Sequence, residues 1–207
     1  MKLQGLLCAL FATLGLSACF GRSTYRWQEE VLLHDGRVIV VERSVKTGYA
    51  PREIGQPPGE SDYTLTFSVP GGKNITWDGE RNRFVPMILD FEQGVPYVVA
   101  TGATALVYAA EGCPRPPYFF FRWNAGQWQR VRYEEFPTSI RKANLSAGLT
   151  YPSRDPMRER IGRGELVTKE DVARLKRTAD LDAREIREDK ANPCATWDDD
   201  FRYLPRK

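Results

Sequence analysis

The stretch Val31-Leu32-Leu33-His34-Asp35-Gly36-Arg37-Val38-Ile39-Val40-Val41 decides the fold class. An Asp-Gly pair between two apolar, β-branched runs is a strong short-range hairpin signal, because both central residues are then expected at positive φ. Apolar residues fall on both faces of both arms, so this hairpin is expected to be covered on both sides. Downstream, Tyr63 to Val69 alternates Leu65, Phe67 and Val69 with hydroxyl residues, the period-2 pattern of a half-buried strand. Pro70-Gly71-Gly72 turns the chain and Asn74 to Trp77 returns it. Phe84 to Phe91 is strand-like with Pro86 inside, which points to an edge strand or a bulge. Gln93-Gly94 leads into Tyr97 to Ala100, and Ala105 to Ala109 reads as one more short strand. Tyr118 to Trp123 is expected to pair with Gln127 to Tyr133 around Asn124-Ala125-Gly126. Many short strands punctuated by turn chemistry predict a mainly β fold: an antiparallel meander closing as a sandwich or a barrel. Between the first two strand groups, Val45 to Ser61 holds three prolines and reads as a loop.

From Pro137 the composition changes. Pro152 to Lys190 carries eleven Lys or Arg against ten Asp or Glu, so this stretch is charged but nearly neutral. Thr168 and Asp171 have the spacing of a capping box. Val172, Leu175, Ala179, Ala183 and Ile186 then follow at helical steps. A charged C-terminal helical segment is therefore expected to pack on the β body. The chain divides into residues 1–18, 19–26, 27–136 (the β-rich domain) and 137–207, a helical and irregular extension of the same domain.

The first nineteen residues read as an export address. Lys2 precedes Leu3 to Leu16, an almost wholly apolar run too short for the roughly 20 residues of a permanent membrane span but suited to a secretory signal. It ends in Leu16-Ser17-Ala18-Cys19, which resembles a bacterial lipobox. The resemblance implies cleavage before Cys19, a diacylglycerol on its sulfur, and acyl chains that hold residues 19–26 at the bilayer as a lipidated terminus and tether. Phe20 follows, where lipoproteins of this kind retained in the inner membrane usually carry Asp, so the implied address is the outer membrane, facing the periplasm. In that oxidising setting, with Cys8 removed and Cys19 acylated, Cys113 and Cys194 are expected to form a disulfide. The rival, a metal site, would need carboxylates beside those two thiols.

The 207 residues carry 30 Lys or Arg and 27 Asp or Glu, a formal charge of +3 that is too balanced for a dedicated nucleic-acid binder. His34, the single histidine, stands beside a tight turn, excludes a histidine-rich metal site, and reads as structural or exposed. Asp198-Asp199-Asp200 lacks the glycine and distal glutamate of a helix-loop-helix calcium site and reads as a solvated turn. Glu60, Asp62 and Asp90 lie near strand ends and are given no role. No cofactor motif is read. The candidate binding face is Arg115, Arg122, Trp123, Trp128, Arg130 and Arg132, grouped with Tyr118 around one hairpin. Guanidinium groups beside indoles can grip phosphates or carboxylates and anchor protein partners. The competing reading makes the aromatics core and the arginines a cover laid over the sheet by their stems. The expected function is a non-catalytic binding or scaffolding module, its partner an envelope protein or an anionic envelope component. A carboxylate-based cell-wall or lipid hydrolase, or a carrier of an apolar ligand, is the alternative.

Overall fold

The hairpin at Asp35-Gly36 does form, but with a longer turn than a two-residue loop. Leu33 N–H donates to the Arg37 carbonyl at 2.8 Å, and only Gly36 takes positive φ, at 87°. Asp35 instead accepts from Arg37 N–H at 3.0 Å through its carboxylate, so the aspartate closes the turn with its side chain. The computed structural model describes residues 23–49, 59–80, 83–146, 156–178, 185–186 and 194. The lipobox and Cys19, the Pro-rich residues 50–58 and the acidic run at 198–200 lie outside them.

Two antiparallel four-stranded meanders make up the body. The first holds β1 (Ser23–Leu32), β2 (Val38–Tyr49), β3 (Gly59–Ser68) and β4 (Asn74–Trp77), in that spatial order. The second holds β5 (Phe84–Glu92), β6 (Val95–Gly102), β7 (Phe119–Asn124) and β8 (Gln127–Val131), again in chain order. They remain two sheets and do not close into a barrel. Strands β2 and β3 run well into the stretch read as a loop, and β1 begins inside the stretch read as a tether.

One core lies between the sheets. Val31, Val41, Leu65, Phe67 and Trp77 come from the first, and Leu89, Phe91, Val98, Phe119 and Phe121 from the second. Edge-on ring contacts bridge the layers, Phe67 to Phe91 at 5.8 Å and Trp77 to Phe121 at 5.5 Å. The link between the sheets turns at Gly79, φ 62°, where a Cβ would sit 2.9 Å from the Phe84 carbonyl oxygen; only glycine fits that approach. Pro86 is accommodated as expected, since β5 is an edge strand and its register shifts between Pro86 and Ile88.

Three expectations are corrected. Ala105–Ala110 is a short helix, α1, because Thr104 caps it by accepting from Val107 N–H and the alanines favour helix over strand. The first hairpin is covered on one face only: Leu32, Val38 and Val40 are 45%, 42% and 51% exposed on the outer side. The helical stripe does not run on to Ile186. Helices α2 (Pro156–Gly162) and α3 (Lys169–Thr178) are short, and Ile186 instead follows a bridge between Glu185 and Lys142, packing with Ile140. Residues 179–184 of that stripe lie outside the described residues. The Thr168–Asp171 box is in place, Asp171 accepting from Thr168 N–H and Oγ1 at 3.0 and 2.8 Å, and it sets Val172 against Trp27 and Val45.

Between the shared core and that smaller cluster lies a buried ion pair. Glu29 accepts from Arg43 Nη1 (3.0 Å), Trp27 Nε1 (2.9 Å) and both the backbone N–H and hydroxyl of Ser146 (2.6 and 2.5 Å). Arg43 also donates to the Ser146 carbonyl at 2.7 Å and lies over the Trp27 ring at 5.0 Å. Removing one member of such a pair leaves an uncompensated buried charge, at about 3–5 kcal/mol. Arg43→Met should therefore lower unfolding free energy in urea by about that much, whereas Glu29→Gln/Arg43→Met together should recover part of the loss. A double variant no more stable than the single would show that the cost is not the stranded charge.

Candidate functional site

The β7–β8 hairpin distributes the arginine–aromatic group over different surfaces. Cross-strand pairs Phe121–Arg130 and Trp123–Trp128 turn toward the first sheet, while the intervening Arg122–Gln129 pair turns away from it. The two indoles contact each other at 5.4 Å, and Trp128 Nε1 donates to the Thr76 carbonyl at 2.8 Å, so both rings seal the open side of the sandwich. Arg130 lies over Phe84 at 4.8 Å and is held by Glu80 and Glu111. Glu111 in turn receives Arg83. Arg132, beyond the end of β8, pairs with Glu135 at 2.9 Å, and Arg115 stands exposed in the loop before Pro116. Tyr118 is buried and its hydroxyl donates to the Glu185 carbonyl at 3.2 Å. Trp123, Trp128 and Arg130 thus form a sealed edge, and Arg115, Arg122 and Arg132 do not join them. Cys113 and Cys194 are brought together in disulfide geometry, with Cα atoms 6.1 Å apart and Cys194 packed against the shared core.

A different group assembles on the outer face of the second sheet. Strand pairing sets Asp90, Tyr97, Arg122 and Gln129 in one row across β5 to β8. The chain after β8 crosses this face: Phe136 packs edge-on against Tyr97 at 5.6 Å and tilts against Phe120 at 4.8 Å. Tyr133, Glu134, Phe136, Ile140, Arg141 and Ile186 line an open depression of about 190 Å³ there.

At one end of the row the turn of the first hairpin docks. Asp90, 3% exposed, accepts from His34 N–H and from the His34 ring at Nδ1, both at 2.9 Å, and from Phe91 N–H at 2.8 Å. The second ring nitrogen lies 3.7 Å from Glu92, which accepts from the Ser139 hydroxyl at 2.6 Å. The Asp90 hydrogen bond, more than any other influence, holds the His34 imidazole above its ordinary value, against the opposing effect of burial. Ser139 donates to Glu92, not to His34, so the group is a charged clasp between the sheets and not a nucleophile–base pair. Asp90 and His34 carry this clasp, and Asp90 was given no role from sequence. The usable signal was Ile88-Leu89-Asp90-Phe91-Glu92, where acids replace apolar residues on one face of an otherwise buried strand.

No family model, curated protein or solved structure matches this chain.

A group whose folded pKa is raised contributes stability that is fully present below its unfolded value, near 6.5, and is lost as pH rises through the folded one. His34→Gln should consequently destabilise the protein more at about pH 6 than at about pH 8.5. Urea midpoints for both proteins across that range measure the difference; a gap that is constant or widens upward would contradict the clasp.

Proposed function

We propose that this chain is an exported lipoprotein, anchored in the outer membrane by acylated Cys19, whose periplasm-facing β body is a non-catalytic binding or scaffolding module. The observation that carries the reading is the Leu16-Ser17-Ala18-Cys19 lipobox behind a charged start and an apolar run. Strand β1 starts at Ser23, four residues beyond Cys19, so acylation there would hold the body close to the bilayer surface. Two or three acyl chains, at roughly 0.8 kcal/mol per buried CH₂, give a lasting anchor. The meeting of Cys113 and Cys194 suits the oxidising periplasm. Phe20 next to the anchor favours the outer over the inner membrane.

Recognition surfaces support binding as the task. Ten residues of β1, at roughly 3.3 Å each, carry the hairpin tip about 30 Å from Ser23. The exposed apolar patch of Leu32, Val38 and Val40 is presented there, available to an envelope protein. The outer face of the second sheet offers arginines to an anionic envelope component.

Metabolic labelling with palmitate should mark the wild-type protein and leave Cys19→Ala unmarked, and density-gradient fractionation should place the labelled form with outer-membrane markers. An unlabelled wild type would remove the anchor and the address together. Alkylation of denatured protein should leave Cys113 and Cys194 unmodified until a reductant is added; two freely alkylated thiols would argue against an oxidising compartment.

A further inference from the structure

We propose that the turn of the first hairpin, residues 33–37, is a pH-sensitive lid on β5: the His34 imidazolium holds it down, and loss of that proton raises the share of an open form in which Leu33 and Phe91 are uncovered. The device is a property of the folded body. Its use, enlarging a recognition surface, rests on the binding-module reading above.

Three observations converge. The first is the placement of the ring between two acids. His34 Nδ1 meets Asp90 at 2.9 Å, and Nε2 faces Glu92 at 3.7 Å. Only the imidazolium carries an N–H on both nitrogens; the neutral ring can donate to one carboxylate and neutralises neither.

The second is the balance of charge around it. Asp90 and Glu92 face the ring from β5, with Tyr97 beside Asp90 on β6 and Arg122 a further strand away on β7. The turn itself brings Asp35 and Arg37, which pair with each other at 2.7 Å. The covering segment brings the neutral hydroxyl of Ser139. Among the described residues, His34 is thus the one cation in ion-pair contact with Asp90 or Glu92. Once the ring is neutral, the buried Asp90 carboxylate has no counter-charge, and a buried carboxylate without a partner is costly. Lifting the turn admits water to it. The same Asp90 contact holds the imidazole above its ordinary value, so the closed form gains stability below that value and loses it as pH rises through the raised one.

The third is the hinge. Leu32 and Val38 are the last register pair of the hairpin, and Asn144 Nδ2 holds the Leu32 carbonyl at 3.0 Å. Beyond them the turn is joined to the second sheet by His34, by Arg37 over the Phe91 ring at 5.9 Å and by the packing of Leu33 in the shared core. Burial of Leu33 keeps the closed form dominant, and the proton sets by how much. The open form would place Leu33 and Phe91 beside the exposed Leu32, Val38 and Val40, so a partner that needs them binds more tightly as the open share grows.

Hydrogen exchange of the His34 amide, which donates to Asp90, reads the open share once the intrinsic rate at each pH is divided out. Measured by NMR on the full chain in phosphatidylcholine nanodiscs, that share should rise about fivefold from about pH 6 to about pH 8.5, the difference between a charge-assisted and a neutral hydrogen bond. His34→Gln should flatten the dependence at the position-34 amide. Asp90→Asn should leave about twofold or less, the worth of the partly exposed Glu92 pair. Low urea separates a lid from loss of the whole fold: opening five residues exposes little surface, so the His34 rate should hardly respond, while Val98 and Val99 in β6 exchange faster. An open share independent of pH, a rise that survives in His34→Gln, or His34 exchange that follows urea as β6 does would overturn the lid. Any of these with palmitate labelling intact leaves the anchored module standing; a working lid without labelling removes only its use in the envelope.

Discussion

The architecture depends on a charge pair that no water reaches. Glu29 and Arg43 are directly accessible to nothing, 0% and 1% exposed, and they sit where the inner face of the first sheet passes from the shared core to the cluster beneath α2 and α3. Burying two ions is expensive, and the pair persists because Glu29 collects four donors. Two of those come from Ser146, at the end of the segment that covers the outer face of the second sheet. The pair therefore fixes more than two strands. It sets the point to which the covering chain must return, and with it the position of Phe136, Ile140 and the depression between them.

Sandwich edges are the other constraint, since an open strand invites pairing with another chain. On one side Asn144 behaves as a one-residue strand. Its side chain accepts from Leu89 N–H at 3.0 Å and donates to the carbonyls of Leu89 and Leu32 at 2.7 and 3.0 Å, bridging β5 and β1. Val167 exchanges two backbone bonds with the edge of β1, at 2.8 and 2.9 Å. On the opposite side Trp128 and Arg130 close the gap through Thr76, Glu80 and Glu111. The arginines that sequence singles out as a grip on partners are divided between this sealing task and a surface on the far face.

Most of the strand order was legible because it is local. Asp35-Gly36, Pro70-Gly71-Gly72, Gln93-Gly94 and Ala125-Gly126 each mark a hairpin between neighbours, and longer links from β2 to β3 and from β6 to β7 join these hairpins in chain order into meanders. Pro86 announced an edge, and Thr168 with Asp171 announced a helix start. Errors arose where local pattern was ambiguous or tertiary contact decided. Ala105–Ala110 has an apolar run compatible with strand or helix, and Thr104 tips it. Ile186 kept helical spacing with Val172 yet belongs to another cluster. The site was the least legible part, because His34 and Asp90 are 56 residues apart and meet only when the sheets stack. Nothing in the spacing of Tyr97, Arg122 and Phe136 reveals that they share one face.

The Ser146–Glu29 contact also has a temporal meaning. The two residues are 117 positions apart, so a chain delivered amino end first can pair Arg43 with Glu29 in the first hairpin long before Ser146 supplies two further donors to that carboxylate. Until then the inner face of that sheet carries an ion pair short of its hydrogen bonds to Ser146 beside apolar side chains, a surface that invites the wrong neighbours. Completion of the buried pair thereby waits on the segment that ends at Ser146, and a truncation just upstream of it would leave Glu29 without two of its four donors.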